Sequence, residues 1–434
     1  NVLSCYGETG ANRPAAFTRT PGIDTIASNG RTFINSYCAA PQCVPSRTSI
    51  FTSRTAAETG VLRNKYVMKP DFPELGRWVR DHTDYLTVYA GKWHVSKLKV
   101  EDGYEVLDKG TQFGEGKDAG VGRSVMAFLN NYDGEKPFFL SAGLLNPHDC
   151  CFLGNGYGKY GLKERAIQGE LDISAGPLPK NFIGTSGAKA VKKKSTDEDW
   201  RYYIYQYARQ TEMVDSIVKR VWDTLKASKF ADDTLFIFSS DHGEGAGFKG
   251  KRSKGYLDDN TMRVPLIIEG AGVKPGVDRT HMVNGIDIGP TVCELAGCDC
   301  MPGVTVAKSL WPLIQGEEDL DREYTICESG KPGFGVSIIT DAYQCNFRDT
   351  GEYEVYDRAK DPFQMNNLAG PELGKQVKDR HLAHLKEYFG KIQISRTGGS
   401  VTGKNQDRST EAMEEYAQFV QMHDAVMAGE LTYD

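Results

Sequence analysis

The stretch "DDTLFIFSSDHGE" (residues 232–244) contains a short, almost continuous apolar run that ends abruptly in polar residues. Such a run is typical of a strand that is covered on both faces of a sheet, and it predicts a strand over residues 234–239. Asp241 and His242 follow this strand at once. Because ligands bind beyond the carboxyl ends of strands in open α/β sheets, this pair marks a candidate site.

Similar apolar runs predict further strands at residues 85–89, from residue 137 in "KPFFLSAGLLNPH", and at residues 264–269. Helical patterns lie between them. The strongest covers about residues 197–227, with Thr196 as a plausible N-cap, and another covers residues 285–297. The first helix has one apolar stripe, formed by Val214, Ile217, Val218, Val221 and Leu225. This alternation predicts an α/β fold with a large, doubly wound mixed sheet flanked by helices.

The character of the chain changes near Gln315. Short strand-like stretches follow ("REYTICES", "FGVSIITD", "AYQCNFRD", "YEVYD"), and then the helical pattern "PELGKQVKDRHLAHLKEYFGKIQ". We therefore predict a catalytic domain over residues 1–315. A C-terminal subdomain with a small antiparallel sheet and a helical tail is expected over residues 316–434.

Composition narrows the class of protein. The chain is 39% hydrophobic and 25% charged, and it has no apolar run near the roughly 20 residues that span a bilayer. Its net charge of −6 gives no overall attraction to nucleic acid. We expect neither a nucleic-acid partner nor membrane insertion. The 10 cysteines do not form two CxxC pairs, which argues against a structural zinc site, and one or two disulfides remain compatible with export.

Polar side chains of catalytic type lie at or near the ends of other predicted strands. They are Lys92, His94, His148 and, in the loop "FKGKRSKGYLDD", Lys254. A single histidine after a strand is more often structural than catalytic, and a lysine in such a loop is usually exposed to solvent. The convergence of all these groups at one edge of a sheet favours a functional site over several unrelated positions.

The stretch "PQCVPSR" (residues 41–47) has two interpretations from its residues alone. Cys43 is either a buried, inert thiol or a thiolate nucleophile that Arg47 and a histidine activate. Neither interpretation accounts for Pro45, which lies two residues after Cys43.

"CVPSR" (residues 43–47) is similar to the C-x-P-S-R signature of type I, formylglycine-dependent sulfatases in the alkaline phosphatase-like superfamily, in which this cysteine is oxidised to Cα-formylglycine. Further stretches resemble the family in order over about residues 1–370. These are "TPGIDTIASNGRTFINSY", "GKWH", "PH", "SDHGE", "RVPLI", "GIDIGPTVCELAG" and "YEVYDRAKDPFQMNNLA". The signature would place the modified residue near a helix N-terminus, which favours anions.

The resemblance implies a role for each matching residue. Cys43, as formylglycine hydrate, would be the nucleophile, and Arg47 would orient its hydroxyls. Lys92 would bridge formylglycine and the substrate sulfate, and His94 would accept the proton of the second hydroxyl. His148 and Lys254 would bind sulfate and protonate the leaving oxygen. Lys251 is the alternative assignment for this lysine.

The resemblance also implies a divalent cation, Ca²⁺ or Mg²⁺, with Asp241 and His242 as ligands. One departure concerns this site. The family begins with an apolar strand that ends in a pair of metal-binding aspartates, about ten residues before the position of "CYG". Here Cys5 is preceded by four residues, which has two explanations. Either the first strand and the aspartate pair lie upstream in a longer protein, which we favour because the fold needs a central strand, or the protein lacks the pair and binds the metal weakly or not at all.

These features predict hydrolysis of sulfate monoesters on a carbohydrate, after activation by a formylglycine-generating maturation enzyme. A periplasmic, secreted or lysosome-like location after leader removal is expected, with the cytoplasm as the alternative. The competing functions are a phosphate or phosphonate ester hydrolase of the same superfamily and a non-catalytic sulfated-glycan binder. The Gly- and Lys-rich region 149–195 is either a specificity lid or a plain surface insertion.

Overall fold

The computed structural model describes residues 2–7, 17–68, 71–110, 113–153, 178–179, 182, 197–316, 320–399, 401, 409–431 and 433. The predicted N-cap Thr196 and most of the region 149–195 lie outside these residues. The strands are β1 (Arg31–Phe33), β2 (Ser36–Tyr37), β3 (Leu86–Gly91), β4 (Glu105–Asp108), β5 (Phe138–Gly143), β6 (Leu235–Ser239), β7 (Leu266–Gly270), β8 (Gly276–Asp278), β9 (Val283–Asn284), β10 (Thr325–Ser329), β11 (Gly335–Ile339), β12 (Tyr343–Arg348) and β13 (Tyr353–Asp357).

The helices follow the sequence patterns closely, and the longest spans the residues that its apolar stripe predicts. They are α1 (Pro21–Asn29), α2 (Cys43–Thr52), α3 (Ala56–Thr59), α4 (Leu75–His82), α5 (Asp118–Asn131), α6 (Asp197–Ala227), α7 (Asp259–Met262), α8 (Ile288–Ala296), α9 (Trp311–Gln315), α10 (Glu372–Lys391) and α11 (Ser409–Ala428). None of the described helices is long and apolar enough to cross a membrane.

The first part of the chain forms a mixed sheet in two portions. Strands β4, β3 and β5 are parallel neighbours in that order. The second portion has the order β6-β7-β1-β8, in which β7 is antiparallel to both of its neighbours. The predicted α/β fold with a mixed sheet flanked by helices is confirmed, with strand bounds that differ from the prediction by one or two residues.

Successive side chains of β3 point to opposite faces of the sheet, and helices cover both faces. Tyr89 is buried in a cluster with α2, α4 and α8, whereas its neighbour Ala90 belongs to a cluster with α5 and α6. Helix α6 packs against α1 and α5, with Val214, Ile217, Val218 and Leu225 buried and Val221 half-buried. Burial on both faces explains why these strands read as continuous apolar runs.

A cavity of about 840 Å³ lies where the two portions of this sheet face each other. Both edge strands, β5 and β6, contribute to its lining, with apolar side chains such as Leu140 and Phe238. Within the described residues, β5 pairs with β3 alone and β6 with β7 alone. The sheet is therefore divided by a cleft with a strand edge on each side.

The C-terminal part forms a continuous antiparallel sheet in the order β10-β11-β12-β13, as expected from its short strand-like stretches. Helices α10 and α11 contribute to the same apolar core, in which Phe347, Val336 and Leu385 are fully buried. The predicted boundary between residues 315 and 316 stays a prediction.

Strand β10 also contacts the first part of the chain. The amide of Glu328 donates to the carbonyl of Ala39 at 2.8 Å, and the Ser329 hydroxyl donates to the carbonyl of Gly255 at 2.6 Å. These two acceptors lie in the segments that carry Cys43 and Lys254. The antiparallel sheet therefore braces both of them.

Candidate active site

Cys43 is the first residue of α2, and its thiol lies at the helix N-terminus. The Sγ atom is 3.2 Å from Nε2 of His242. Because the carbonyl of Gly243 can only accept, Nδ1 of His242 carries the hydrogen that it shares with that oxygen at 2.7 Å. The Nε2 atom of His242 is thereby aimed at position 43.

The surroundings of Cys43 favour negative charge. Burial alone raises the pKa of the thiol, but the charge of His242 and hydrogen bonds from His242 and His94 outweigh it and lower the pKa to about 3. The helix N-terminus acts in the same direction. An anionic group or a strongly polarised oxygen at this position is therefore stabilised.

Asp241 connects the nucleophile position to two cations. Its Oδ2 atom lies 2.9 Å from Nε of Arg47 and 3.9 Å from Nζ of Lys92. Burial acts to raise the pKa of this carboxyl, but His242, Arg47 and Lys92 hold it well below its usual range. The guanidinium of Arg47 also donates to the main-chain carbonyl of Lys92 at 2.7 Å, which fixes the turn after β3.

Gly91 makes this turn possible. Its φ of +99° is unfavourable for other residues, and a Cβ atom there would lie 2.2 Å from the carbonyl oxygen of Gly143. The amide of Lys92 donates to that same oxygen at 2.8 Å. The ends of β3 and β5 are therefore held together, and Lys92 points toward Asp241.

Lys254 and His148 lie on the same cavity as Lys92 and Asp241. Burial lowers the pKa of Lys254, but the charges of Cys43 and Cys151 raise it above its ordinary value, so the side chain is an ammonium ion. Burial first, and then Lys254 and Lys92, lower the pKa of His148 to about 4. This histidine is thus neutral near pH 7 while no anion is bound beside the two lysines.

The structure brings most of the predicted residues together around one cavity. The two others differ from each other in solvent exposure. The lining of the 840 Å³ cavity includes six of them, namely Arg47, Lys92, His148, Asp241, His242 and Lys254. Cys43 is 1% exposed and does not belong to that lining, while His94 is exposed to solvent. His94 has a φ of +55°, which turns it back toward Cys43 although it follows the strand end by three residues.

The fallback residue Lys251 is directed elsewhere, because its Nζ atom pairs with Asp258. Sequence reasoning missed two supporting groups. The hydroxyl of Tyr89 donates to the carbonyl of Lys92 at 2.5 Å, and the Ser46 hydroxyl donates to the carbonyl of Asp241. Ser46 belongs to the "CVPSR" stretch, so its position in that motif could have indicated a role at the site. Tyr89 lies within an apolar strand, where nothing in the sequence distinguishes it from a core residue.

Cys43 at a helix N-terminus, beside Lys92 at the end of β3 and Asp241 and His242 at the end of β6, is an arrangement that fits a hydrolase of the alkaline phosphatase-like superfamily. The Sulfatase family profile matches residues 3–298, and the profile described as N-sulphoglucosamine sulphohydrolase, C-terminal, matches residues 247–391. The chain belongs to the sulfatase family and is a sulfuric ester hydrolase by class.

Individual relatives agree with this family. The chain is 28% identical over 427 residues to the Delta 4,5-hexuronate-2-O-sulfatase of Bacteroides thetaiotaomicron, covering 89% of this chain and 86% of the relative. A solved 2-O GAG sulfatase shares the fold with a TM-score of 0.71 at 22% identity, over 91% of each chain. The phosphonate monoester hydrolase of Agrobacterium radiobacter has a TM-score of 0.70 at 19% identity, over 90% of this chain and 93% of that one.

Proposed function

We propose that this chain hydrolyses sulfate monoesters on a carbohydrate, with residue 43 as the nucleophile after its conversion to Cα-formylglycine. The observation that carries the proposal is the convergence of Arg47, Lys92 and Lys254 around Asp241 and position 43. These three cations outnumber the two neighbouring carboxyl groups, Asp241 and, beside Lys254, Glu244. The surplus of positive charge matches an anionic sulfuryl group.

The site fits formylglycine because position 43 has a ring-nitrogen partner for an oxygen atom. The Nε2 atom of His242 lies 3.2 Å from Sγ of Cys43, and His94 also acts to lower the pKa of this thiol. When hydrated, formylglycine supplies a geminal diol, one oxygen of which attacks sulfur. Arg47 lies one helical turn from Cys43, and its fixed guanidinium holds the surrounding charges in place through Asp241.

The other residues act on protons and charge. Lys92 and Lys254 bind the non-bridging sulfate oxygens and stabilise the charge that develops on them. Binding of an anion between these lysines offsets their part in lowering the pKa of His148, although burial, the largest cause, stays, and we assign to this histidine the delivery of a proton to the leaving oxygen. His94, which is exposed and acts to lower the pKa of Cys43, is assigned as the acceptor of the proton that must leave before sulfate is released.

The described residues fit a divalent cation only in part. Asp241 and His242 offer two donors within 4.8 Å of each other and of Cys43. However, Arg47 and Lys92 already surround the carboxylate, and a divalent cation beside three cationic side chains requires more negative charge. Asp241 and His242 would hold Ca²⁺ or Mg²⁺ together with further carboxylates.

The cleft between β5 and β6 supports the expectation of a further acidic strand. It has a strand edge on each side and ends at Asp241 and His242, where additional carboxylates would balance the surplus of positive charge. We propose that additional carboxylates at this point complete the cation site. Equilibrium dialysis with ⁴⁵Ca²⁺ tests this, since Asp241 and His242 alone are expected to bind the ion weakly.

The carbohydrate part of the proposal is supported by the relative that acts on a 2-O-sulfated hexuronate. The family resemblance also supports our proposals that a formylglycine-generating enzyme activates the protein and that the protein has a periplasmic, secreted or lysosome-like location, with the cytoplasm as the alternative. The region 149–195, our candidate for a specificity lid, follows His148 directly in the chain.

A screen of defined sulfated mono- and oligosaccharides for released sulfate tests this function. Co-expression with a formylglycine-generating enzyme and intact-mass analysis establish that residue 43 is converted. We expect activity in the converted protein and none in Cys43→Ala, whereas Cys298→Ser, in a half-exposed thiol elsewhere, keeps it. Conversion without any sulfate release, or preferential cleavage of aryl phosphates or phosphonates, would contradict the proposal and favour the alternatives.

A further inference from the structure

A second group of metal-ligand side chains lies beside the first and takes no part in the proposed hydrolysis. Cys150, Cys151 and Glu244 each place one ligand atom within 4.8 Å of the other two. The two cysteines are adjacent in a 3₁₀ turn (His148–Leu153), and their Sγ atoms lie within 4.8 Å of each other. Among the described residues this is one of two such groups, and the other contains Cys43 itself.

We propose that Cys150, Cys151 and Glu244 form a binding site for a thiophilic divalent cation of the zinc class. Thiolate ligands select such cations over Ca²⁺ and Mg²⁺, which prefer oxygen. Tetrahedral coordination, with metal–sulfur bonds of about 2.3 Å and metal–oxygen bonds of about 2.1 Å, requires donor separations of about 3.5–3.8 Å. The present separations need only a shift of roughly 1 Å to reach that value.

The surroundings hold the donors in position. The hydroxyl of Tyr203 lies 3.6 Å from Sγ of Cys150 and donates to Oε1 of Glu244 at 2.6 Å. The amide of Ser253 donates to the same Glu244 oxygen. Cys150 and Glu244 are 1% and 4% exposed. Because these side chains are already held in place, they lose few rotamers when the cation binds, and this favours binding.

Charge balance favours occupancy. Binding releases one proton from each thiol, so that two thiolates and the carboxylate carry three negative charges. The divalent cation and the ammonium of Lys254, whose Nζ atom lies 3.7 Å from Sγ of Cys151, carry three positive charges. The buried assembly would thus be neutral. All three ligands and Lys254 line the cavity, which gives the cation an entry path.

Occupancy has a consequence for hydrolysis that rests on the proposed function, although metal binding itself does not. On binding, the Sγ atom of Cys151 would ligate the cation while it stays next to Lys254. The cation with two thiolates and one carboxylate carries a net charge of −1, which pairs with the ammonium of Lys254 and competes with sulfate for it, so zinc-class cations should inhibit the enzyme. Cys151→Ser should remove that inhibition.

Cadmium titration of the reduced, metal-free chain tests the site directly. The Cys43→Ala background removes the other thiol-containing group. We expect one equivalent of Cd²⁺ to produce an ultraviolet thiolate-to-cadmium charge-transfer band, with two protons released per ion. Cys151→Ser should about halve the band, because it removes one of two thiolates. Glu244→Gln, which preserves size, should keep the band and weaken binding on the order of tenfold.

The matched control is Cys298→Ser/Cys300→Ser, which alters another group of neighbouring thiols and should leave the band unchanged. The proposal would be overturned by the absence of a band at one equivalent, by a band that keeps its full intensity in Cys151→Ser, or by loss of the band in the control. Because Cys151 is only half-buried, its variant tests the site even where Cys150→Ser fails to fold. A chain that binds Cd²⁺ but releases no sulfate would retain this site and refute the proposed function instead.

Discussion

The C-terminal sheet and the larger, divided sheet of this molecule are built on opposite plans. The C-terminal sheet pairs every strand with its neighbour in the chain and buries an apolar core, with Phe347 and Val336 fully covered. The larger sheet is assembled from distant strands and leaves the edges of β5 and β6 facing a cavity that ends in charged side chains. We expect the closed core of the C-terminal sheet to contribute most to stability, whereas the larger sheet leaves apolar surface uncovered next to its charged side chains.

The largest expected effect tests where stability lies. Phe347→Ala in β12 should reduce the free energy of unfolding by about 3–5 kcal/mol, because it opens a void in a closed core. Phe238→Ala in β6 should cost about half as much, since this half-buried ring already borders a cavity. Urea denaturation of both variants measures the difference. Equal losses would show that the cleft is as tightly packed as the C-terminal core.

A smaller effect should appear in the larger sheet and concern rate rather than stability. Arg47→Lys keeps the charge but loses the planar guanidinium that joins Asp241 to the carbonyl of Lys92. We expect kcat to fall on the order of 10²-fold, as for the loss of a positioned charge-stabilising group. Sulfate-release kinetics on the converted protein measure this. A change confined to KM would indicate that Arg47 contributes to binding alone.

Lys254 and Lys251 provide a matched pair within one loop. Lys254→Met should lower kcat/KM on the order of 10²-fold, since it removes a cation from the sulfate site. Lys251→Met should leave kcat/KM within about twofold, because Lys251 pairs with Asp258, away from the cavity lining. If the two losses are reversed, the assignment of the sulfate-binding lysine must be exchanged.

The smallest effect is a difference in the pH dependence of stability. Burial raises the pKa of Glu328 in β10 to about 7 from 4.5, so the folded state binds the extra proton and stability falls as pH rises through this window. The pKa of His148 is lowered to about 4 from 6.5, so the unfolded state binds the extra proton and stability rises with pH. Each slope is at most about 1.4 kcal/mol per pH unit.

Urea titrations between pH 5 and pH 6.5 separate the two contributions. Glu328→Gln should make stability rise more steeply with pH, and His148→Asn should make it rise less steeply. Identical profiles in both variants and in the parent chain would contradict these assignments. Opposite slopes would show that the two sheets respond to acid in opposite directions.

Much of the fold could be predicted from the sequence because apolar periodicity reports burial directly. The stripe on α6 and the continuous runs of β3, β5 and β6 gave bounds within one or two residues. The side chains at the ends of those strands converge as expected, and only their catalytic roles stay predictions. The left-handed turn at His94, the Tyr89 hydroxyl and the Cys151–Lys254 contact depend on tertiary packing, which no local pattern contains.

The contacts of β10 have a consequence for how such an enzyme can diversify. Glu328 and Ser329 hold the segments that carry Cys43 and Lys254. Grafting the last four strands from one homologue onto another would therefore shift the support beneath two reactive side chains at once. This sheet is not an interchangeable module, and engineered chimaeras should carry both braced segments across the junction together with it.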